Sequence, residues 1–427
     1  MSKLSIKNGF FSESVKYPLL FLLVLLLICY VYTLFYPIPT PIHYGDIGIG
    51  ADYLEIGDRP FYFLENSNLR GRGDGSIKPA FLYPFILKFL KFLTSKLGLG
   101  KIAWNASVIL IASISAISSL FFIDKSANIL FDKKTATIAS WIFVLCPYTL
   151  FYCLSGGITI YITLGVSSFT YLILKSNIFN YSRDGLEIRF TMFLLLINTL
   201  FLSSIRVTGS FFSIIIILFL SIILYRKSIK KLIKLSRTDK LSTYFVFTFC
   251  LAYCFYQIKL NNNYLIFSIE GFISEGGTFF GVEREFIRNQ LVLNSFEEAN
   301  QLKSYFYIAL WKIIDFVSGL SDIRDTHTQE YHFISFFPFI ARIFVGLFII
   351  YPINISAFLG TFIYWKRIRD SGFWIILFAS FSCLLPSLLG VAVTRYLIMV
   401  YPPFIIISSK VIGLLKDEFY RQLTLSN

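Results

Sequence analysis

The chain has 427 residues, of which 56% are hydrophobic, 19% aromatic and only 15% charged, and its mean hydropathy is +0.68. Soluble domains carry roughly 25% charged residues, so the composition excludes the soluble class. A net charge of +14 would suit nucleic-acid binding, but the basic residues lie in short loops between apolar runs. No soluble domain is present to carry such a partner, so no nucleic acid is expected.

Apolar runs of about 20 residues, each long enough to cross about 30 Å of hydrocarbon, recur along the chain. They predict an all-α polytopic membrane protein that forms a single domain over residues 1–427. We expect the first run to be retained as a span, because no cleavage site follows it. The ten predicted spans are 16–36, 102–123, 136–154, 157–174, 190–206, 208–225, 243–259, 335–364, 372–391 and 395–414.

The basic residues decide the topology. If the N-terminus is cytoplasmic, ten spans place every short basic loop on the cytoplasmic side, as the positive-inside rule requires. Residues 333–364 could form one long tilted span that Pro352 kinks, or two short spans, but with two spans the last basic clusters would lie outside. Ten spans with both termini in the cytoplasm are therefore predicted. The basic clusters are 125–134, 175–189, 226–240, 366–369 and 416–421.

Two outward segments, 37–101 and 260–334, are too long to be simple connections. Long outer loops are usually functional, and all three histidines, His43, His327 and His332, lie in these segments or at their edge. The predicted cytoplasmic side offers only short basic turns. If the protein is an enzyme, its site is expected on the outer face.

The first outer segment holds an early carboxylate, Asp46, just beyond the first span. Asp52 and Glu55 follow, three residues apart, and would share one face of a helix. After Lys78-Pro79, residues 80–97 place Leu and Phe on one face and lysines on the other. This pattern predicts a helix that lies on the membrane surface and does not cross it.

Seven segments, taken in chain order, form a set: Tyr44-Gly45-Asp46, Ala51–Phe61, Lys78–Pro84, Asp124–Lys134, Leu145–Tyr148, Arg395–Leu397 and Tyr401–Pro403. In order and spacing they resemble the GT-C glycosyltransferases. The most similar group is the bacterial protein-mannosyltransferase-like and aminoarabinose-transferase-like branch, in which an acidic residue opens an outer-loop helix. The resemblance covers residues 40–225 and 390–410.

This resemblance implies a GT-C-like fold in which outer-face loop helices roof a cavity. It also implies an inverting sugar transfer from a polyprenyl-phosphate donor to a lipid, glycan or protein acceptor. Asp46 would take the proton of the acceptor or hold a divalent cation, Mg²⁺ or Mn²⁺. Asp52 is the second catalytic candidate. Lys78, Arg395 and Arg206 would bind the lipid phosphate.

One departure from the family concerns the metal. The family commonly carries a second acidic residue at the outward turn after the third span, whereas residues 154–161 contain no carboxylate. Either Asp52 or an acid from 260–334 substitutes, or the two-acid metal arrangement is absent. Further site candidates are His43, one turn from Asp46, Tyr83 and Arg284.

Simpler roles exist for the same residues. Asp46 could cap a loop helix, Lys78 could reach up to the interface, and Arg206 and Arg395 could anchor helix ends to headgroups. Two other functions also fit a polytopic chain: a polymerase or ligase of surface polysaccharide, and a non-enzymatic flippase or transporter of lipid-linked glycan. The lack of a soluble catalytic domain and the short termini favour a bacterial inner membrane, with a eukaryotic reticulum membrane as the alternative.

Overall fold

The structure is a computed structural model that describes residues 13–35, 82–99, 101–154, 158–176, 185–229, 237–260, 346–389 and 399–426. Within these ranges every regular element is a helix, and a short π-helical segment, Gly346–Ile350, precedes α10. The helices are α1 (Glu13–Phe35), α2 (Leu82–Lys96), α3 (Lys101–Leu130), α4 (Lys133–Leu145), α5 (Pro147–Leu154), α6 (Ile158–Ser176), α7 (Gly185–Ile205), α8 (Val207–Ile229), α9 (Arg237–Leu260), α10 (Tyr351–Ile363), α11 (Trp365–Ser371), α12 (Phe373–Leu389) and α13 (Tyr401–Ser426).

Several of these helices are long and apolar enough to cross a membrane. Four qualify singly: Ala106–Leu130, Ile158–Ser176, Thr208–Arg226 and Leu241–Lys259. The bent pair Phe348–Ile363 and Trp365–Ser371 makes a fifth if it is counted as one span. The chain therefore has the helices of an integral membrane protein. Each predicted span overlaps a helix, but the number of ten stays a prediction.

Ion pairs gather several helix ends at one end of the bundle, here called the basic end. Glu13 at the start of α1 lies 2.6 Å from Lys133 at the start of α4. Lys134, the next residue, pairs with Asp417 in the last third of α13. The starts of α1 and α4 and the later part of α13 therefore lie together.

The opposite end, here called the α2 end, is defined by the contacts of α2. The indole Nε1 of Trp104, near the start of α3, donates a hydrogen bond of 3.2 Å to the Leu87 carbonyl oxygen. The ring of Tyr83 packs on that of Tyr161, near the start of α6, with centroids 5.8 Å apart. Helix α2 therefore lies against the starts of both α3 and α6.

Contacts in the second half of the chain fix the remaining directions. The Cys383 thiol of α12 donates to the Thr208 carbonyl oxygen of α8 over 3.5 Å, and the Trp374 and Phe219 rings of the same two helices are 4.9 Å apart. These two contacts make α12 antiparallel to α8. The Cys146 thiol donates to the Tyr401 hydroxyl over 3.3 Å and Lys134 pairs with Asp417, so α13 runs toward the basic end.

Among the described residues, ten helical elements alternate in direction, and how many of them cross a membrane stays a prediction. Five run from the basic end to the α2 end, and five run back. The first group is α1, α4 with α5, α7, α9 and α12, and the second is α3, α6, α8, α10 and α13.

Asp132 begins α4 and also attaches α13. Its backbone is extended, with φ −163° and ψ 171°, and its carboxylate accepts hydrogen bonds from the Thr135 N–H (2.8 Å) and hydroxyl (2.9 Å). This is the usual N-cap arrangement. The other carboxylate oxygen lies 2.6 Å from Lys410 Nζ of α13. One side chain therefore closes a contact between residues far apart in sequence.

Helix α3 is longer than the sequence predicted. It continues to Leu130, whereas the predicted span ended at 123, because no Pro or Gly interrupts residues 101–130. Asp124 therefore lies inside the helix and is 1% exposed, with the Ser140 hydroxyl 3.5 Å from its carboxylate. The α4–α5 pair also differs from one continuous span. Cys146 precedes Pro147 and takes an extended backbone, with ψ 118°, as residues before proline prefer.

The predicted kink at Pro352 is replaced by two other features. Pro352 lies at the start of α10, directly after the π segment, where a missing N–H costs little. The sharp change of direction comes later, at Tyr364, where α10 and α11 meet at 80°. α11 ends at Gly372, whose φ of 77° is the left-handed conformation that glycine adopts most readily.

The two ends should be separated by the membrane. In a chain without its native cysteines, we expect Ser95→Cys in α2 to react in intact cells with a membrane-impermeant maleimide. Gln422→Cys in α13 should react only after permeabilisation, since both side chains are exposed but lie at opposite ends. Labelling of the Gln422→Cys variant from outside would contradict the predicted cytoplasmic location of the basic end.

The Asp132 contacts should make stability depend on acid pH. Burial opposes ionisation, but hydrogen bonds from Lys410 and from the Thr135 N–H and hydroxyl outweigh it and hold the pKa at about 2, below the ordinary 3.8. A lowered pKa stabilises the fold above about pH 4, and this stability is lost as the pH falls toward 2.

We therefore expect Asp132→Asn to cost about 1 kcal/mol at neutral pH, because solvent screens a carboxylate that is partly exposed. The difference from wild type should shrink between pH 4 and 2, measured by thermal unfolding in detergent. Asp417→Asn, which removes an exposed carboxylate from an ion pair with Lys134, is the control and should cost less. A pH-independent difference for Asp132→Asn would contradict the assignment.

Candidate functional site

Helix α2 covers the bundle at the α2 end. Its residues alternate between a buried face, with Leu87, Leu90 and Thr94, and an exposed face, with Phe89 and Leu93. The sequence predicted a surface helix over 80–97, and the structure has a helix over Leu82–Lys96. It packs against α3 and α7 and, through Tyr83, against α6.

Tyr83 and Tyr161 form an aromatic pair at the α2 end. Tyr83 is 2% exposed and Tyr161 is 1% exposed, and their rings are tilted by 56°. The Tyr161 hydroxyl is buried and has no hydrogen-bond partner among the described residues. A buried hydroxyl without a partner is costly, so the Tyr161 hydroxyl is not expected to stabilise the fold.

Arg206 joins α7 and α8 at the same end of the bundle. Its N–H donates to the Leu202 carbonyl oxygen (3.2 Å), and its own carbonyl oxygen accepts from the Gly209 N–H (2.9 Å). The turn between two antiparallel helices therefore consists of this single residue. Its side chain is half-buried.

A polar cluster beside Arg206 was not predicted from the sequence. The Ser204 and Tyr253 hydroxyls are hydrogen-bonded to each other, and the Gln257 amide donates to the Tyr253 oxygen over 3.0 Å. Ser203 and Cys254 lie 3.3 Å apart, one residue along each helix. In the sequence, this cluster could have been found from the spacing of Tyr253 and Gln257, which are four residues apart on α9. These contacts tie the end of α9 to the end of α7.

The chain segments that carry the other predicted site residues all connect helix ends at the α2 end. Residues 36–81 join the end of α1 to the start of α2, 261–345 follow the end of α9, and 390–398 join α12 to α13. Tyr83 and Arg206 are at this same end. His43, Asp46, Asp52, Lys78, Arg284 and Arg395 lie outside the described residues, so their roles stay predictions.

The described part of the chain contains no group of three or more His, Cys, Asp or Glu side chains able to hold a metal ion. The predicted cation ligand Asp46 is outside that part. All five cysteines whose side chains are described are buried and unpaired by disulfides, which agrees with the packing role that apolar spans give to small thiols.

Comparisons with known proteins give limited similarity. No family model and no curated protein sequence matches the chain. Among solved structures, the archaeal oligosaccharyltransferase AglB from Archaeoglobus fulgidus, in complex with an inhibitory peptide and a dolichol-phosphate, is similar with a TM-score of 0.46 and 14% identity. The match covers 97% of this chain and 52% of that one, so this chain spans about half its length. Neither family nor activity follows from a likeness at this level.

The Tyr161 and Tyr253 hydroxyls at the α2 end should respond differently to removal. Tyr161→Phe deletes a hydroxyl that has no partner among the described residues, so we expect unfolding stability in detergent to stay equal or rise by about 1 kcal/mol. Tyr253→Phe deletes a hydroxyl bonded to Ser204 and Gln257, and should cost about 1–2 kcal/mol. A Tyr161→Phe loss as large as that of Tyr253→Phe would show that the Tyr161 hydroxyl is bonded in the folded protein.

Proposed function

We propose that the chain is an integral-membrane glycosyltransferase of GT-C architecture. It would move a sugar from a polyprenyl-phosphate donor to a lipid, glycan or protein acceptor at the α2 end. The observation that supports this is topological. The segments that hold Asp46, Lys78 and Arg395 connect helix ends at one end of the bundle. Helix α2 and Arg206 lie at this same end.

The proposed reaction needs a base and fixed positive charge at one surface. The acceptor oxygen attacks the anomeric carbon from the face opposite the phosphate, through an oxocarbenium-like transition state. The bond from that carbon to the phosphate oxygen breaks, and the lipid phosphate leaves with the electron pair. Asp46 takes the acceptor proton. Inversion follows because a single displacement occurs.

Lys78, Arg395 and Arg206 are the proposed phosphate ligands. A leaving phosphate gains negative charge as the bond breaks, so cations fixed at the headgroup plane stabilise the transition state more than the ground state. Arginine offers a planar pair of donors to a phosphate, and lysine offers a point charge. Arg206 begins α8 and has a rigid backbone, which suits a fixed position.

A divalent cation is a proposed alternative role for Asp46. Mg²⁺ and Mn²⁺ prefer carboxylate oxygens and are often shared with substrate phosphates. With Asp52 or an acid from 260–334 as second ligand, the cation would neutralise the leaving phosphate. His43, Tyr83 and Arg284 are further residues proposed to line the site. The proposed setting is a bacterial inner membrane, with the α2 end outside and both termini in the cytoplasm.

Replacing Asp46 tests the proposal. Asp46→Asn keeps the size of the side chain and removes its charge, so insertion and folding should survive. Sugar transfer from a polyprenyl-phosphate donor in proteoliposomes should fall by about 10²–10⁴-fold, the usual contribution of a general base. The measurement compares variants at matched protein level, with and without added Mg²⁺ or Mn²⁺.

Asp417→Asn is the matched control, since it removes a carboxylate at the basic end and should leave transfer near wild type. Near-normal transfer by the Asp46→Asn variant would remove the role of Asp46 and direct attention to Asp52. If the wild type moves intact lipid-linked glycan across the bilayer and breaks no glycosyl bond, the chain is a flippase and the proposal fails.

A further inference from the structure

A cavity of about 480 Å³ lies at the basic end, where the α10–α11 bend meets the end of α3. The α3 side contributes Ile129 and Leu130. The bend contributes Ile363, Tyr364, Lys366 and Arg367, among others. The cavity is separate from the α2 end, where the proposed sugar transfer would occur, so it calls for its own explanation.

Arg367 lines one side of this cavity and is held in place by hydrogen bonds. Its Nε donates to the Leu130 carbonyl oxygen and its Nη2 to the Phe131 carbonyl oxygen, at 3.1 Å for the second bond. These carbonyls belong to the end of α3, where no intrahelical donor remains for them. The guanidinium also lies over the Phe131 ring, 5.7 Å from its centroid. The bend is therefore held against α3.

Positive charge at the cavity exceeds negative charge. Lys366 is exposed and forms no ion pair among the described residues. Asp370 also lines the cavity, but its carboxylate accepts from Arg369 Nε at 3.1 Å. Arg367 uses two of its N–H groups on backbone carbonyls, which leaves its charge uncompensated by a carboxylate. An anion is thus the ligand that the charges favour.

The side of the cavity toward α10 is apolar and open. Phe362 and Ile363, in the last turn of α10, are 67% and 63% exposed. Ile129 and Trp365 are also exposed. In a membrane protein these side chains face hydrocarbon, and tryptophan at such a boundary is typical of the headgroup level. At this point α11 turns away from the axis of α10 by 80°.

We propose that this cavity binds the headgroup of an anionic phospholipid, with its phosphate at Lys366 and its acyl chains along Phe362, Ile363 and Ile129. A site that is cationic at one edge and apolar at the next matches a lipid, because both parts of the ligand are satisfied together. A soluble phosphate would use the charge only and would not contact the adjacent apolar side chains. The bound lipid would occupy the angle between α10 and α11.

Native mass spectrometry of the full-length protein, delipidated in detergent and titrated with phosphatidylglycerol, tests the proposal. Lys366→Gln should weaken binding by about fivefold, the value expected for one lysine near an anionic surface, and Lys366→Glu should weaken it further. Lys16→Gln is the control, because Lys16 is an exposed lysine near the start of α1 that does not line the cavity. Arg367 is left unchanged, since it caps α3.

Two further ligands distinguish a lipid phosphate from a soluble phosphate. Phosphatidylcholine, which carries no net charge, should bind more weakly than phosphatidylglycerol, and sn-glycerol 3-phosphate should not displace the lipid at equal concentration. Equal losses in Lys366→Gln and Lys16→Gln would overturn the site. Displacement by glycerol phosphate would overturn the lipid assignment in favour of a soluble anion, and equal binding of both phospholipids would overturn the role of charge.

Discussion

Much of the described bundle depends on the contact between the α3–α4 turn and α13, made by Asp132 and Lys410. The carboxylate accepts from the Thr135 N–H and hydroxyl with one oxygen and holds Lys410 at 2.6 Å with the other. Helix α13 then packs on α4 and α10. Its approach to α10 is close because Gly360 has no side chain where a Cβ would meet Ile407 and Val411. The last helix of the chain is thereby fixed to the first third.

The two ends of the bundle differ in the polar and charged groups that they carry. At the basic end many charges are used within the protein, in the pairs Glu13–Lys133 and Lys134–Asp417 and in the cap that Arg367 places on α3. The described α2 end offers hydroxyls, an amide and aromatic rings, together with Arg206 and the lysines Lys91, Lys96 and Lys259. Its described helix ends carry no carboxylate, so the proposed base must come from the connecting segments, which is where the sequence places Asp46.

The sequence was sufficient for whatever depends on local pattern. Apolar runs predicted the helices, and the 80–97 periodicity predicted α2, because burial of one face follows directly from residue spacing. It was not sufficient where a contact joins residues that are distant in the chain. The Asp132–Lys410, Lys134–Asp417 and Cys146–Tyr401 contacts join residues that no spacing relates. Tyr83 and Arg206 were predicted from the sequence as site residues, and both lie at the α2 end. Tyr161, Tyr253 and Gln257 were not predicted, because they become neighbours only through helix packing.

The position of Asp124 bears on the choice between chemistry at a surface and passage through the bundle. It is a buried carboxylate in a helix able to span a membrane, and such residues often mark transport pathways. Along α3, however, it lies about 30 Å from Trp104 at the α2 end, at 1.5 Å per residue. Residues 104–123 between them carry no charge. A charged substrate crossing beside α3 would therefore meet no charged side chain of that helix over this length. The charged groups of the described helices instead lie toward their two ends.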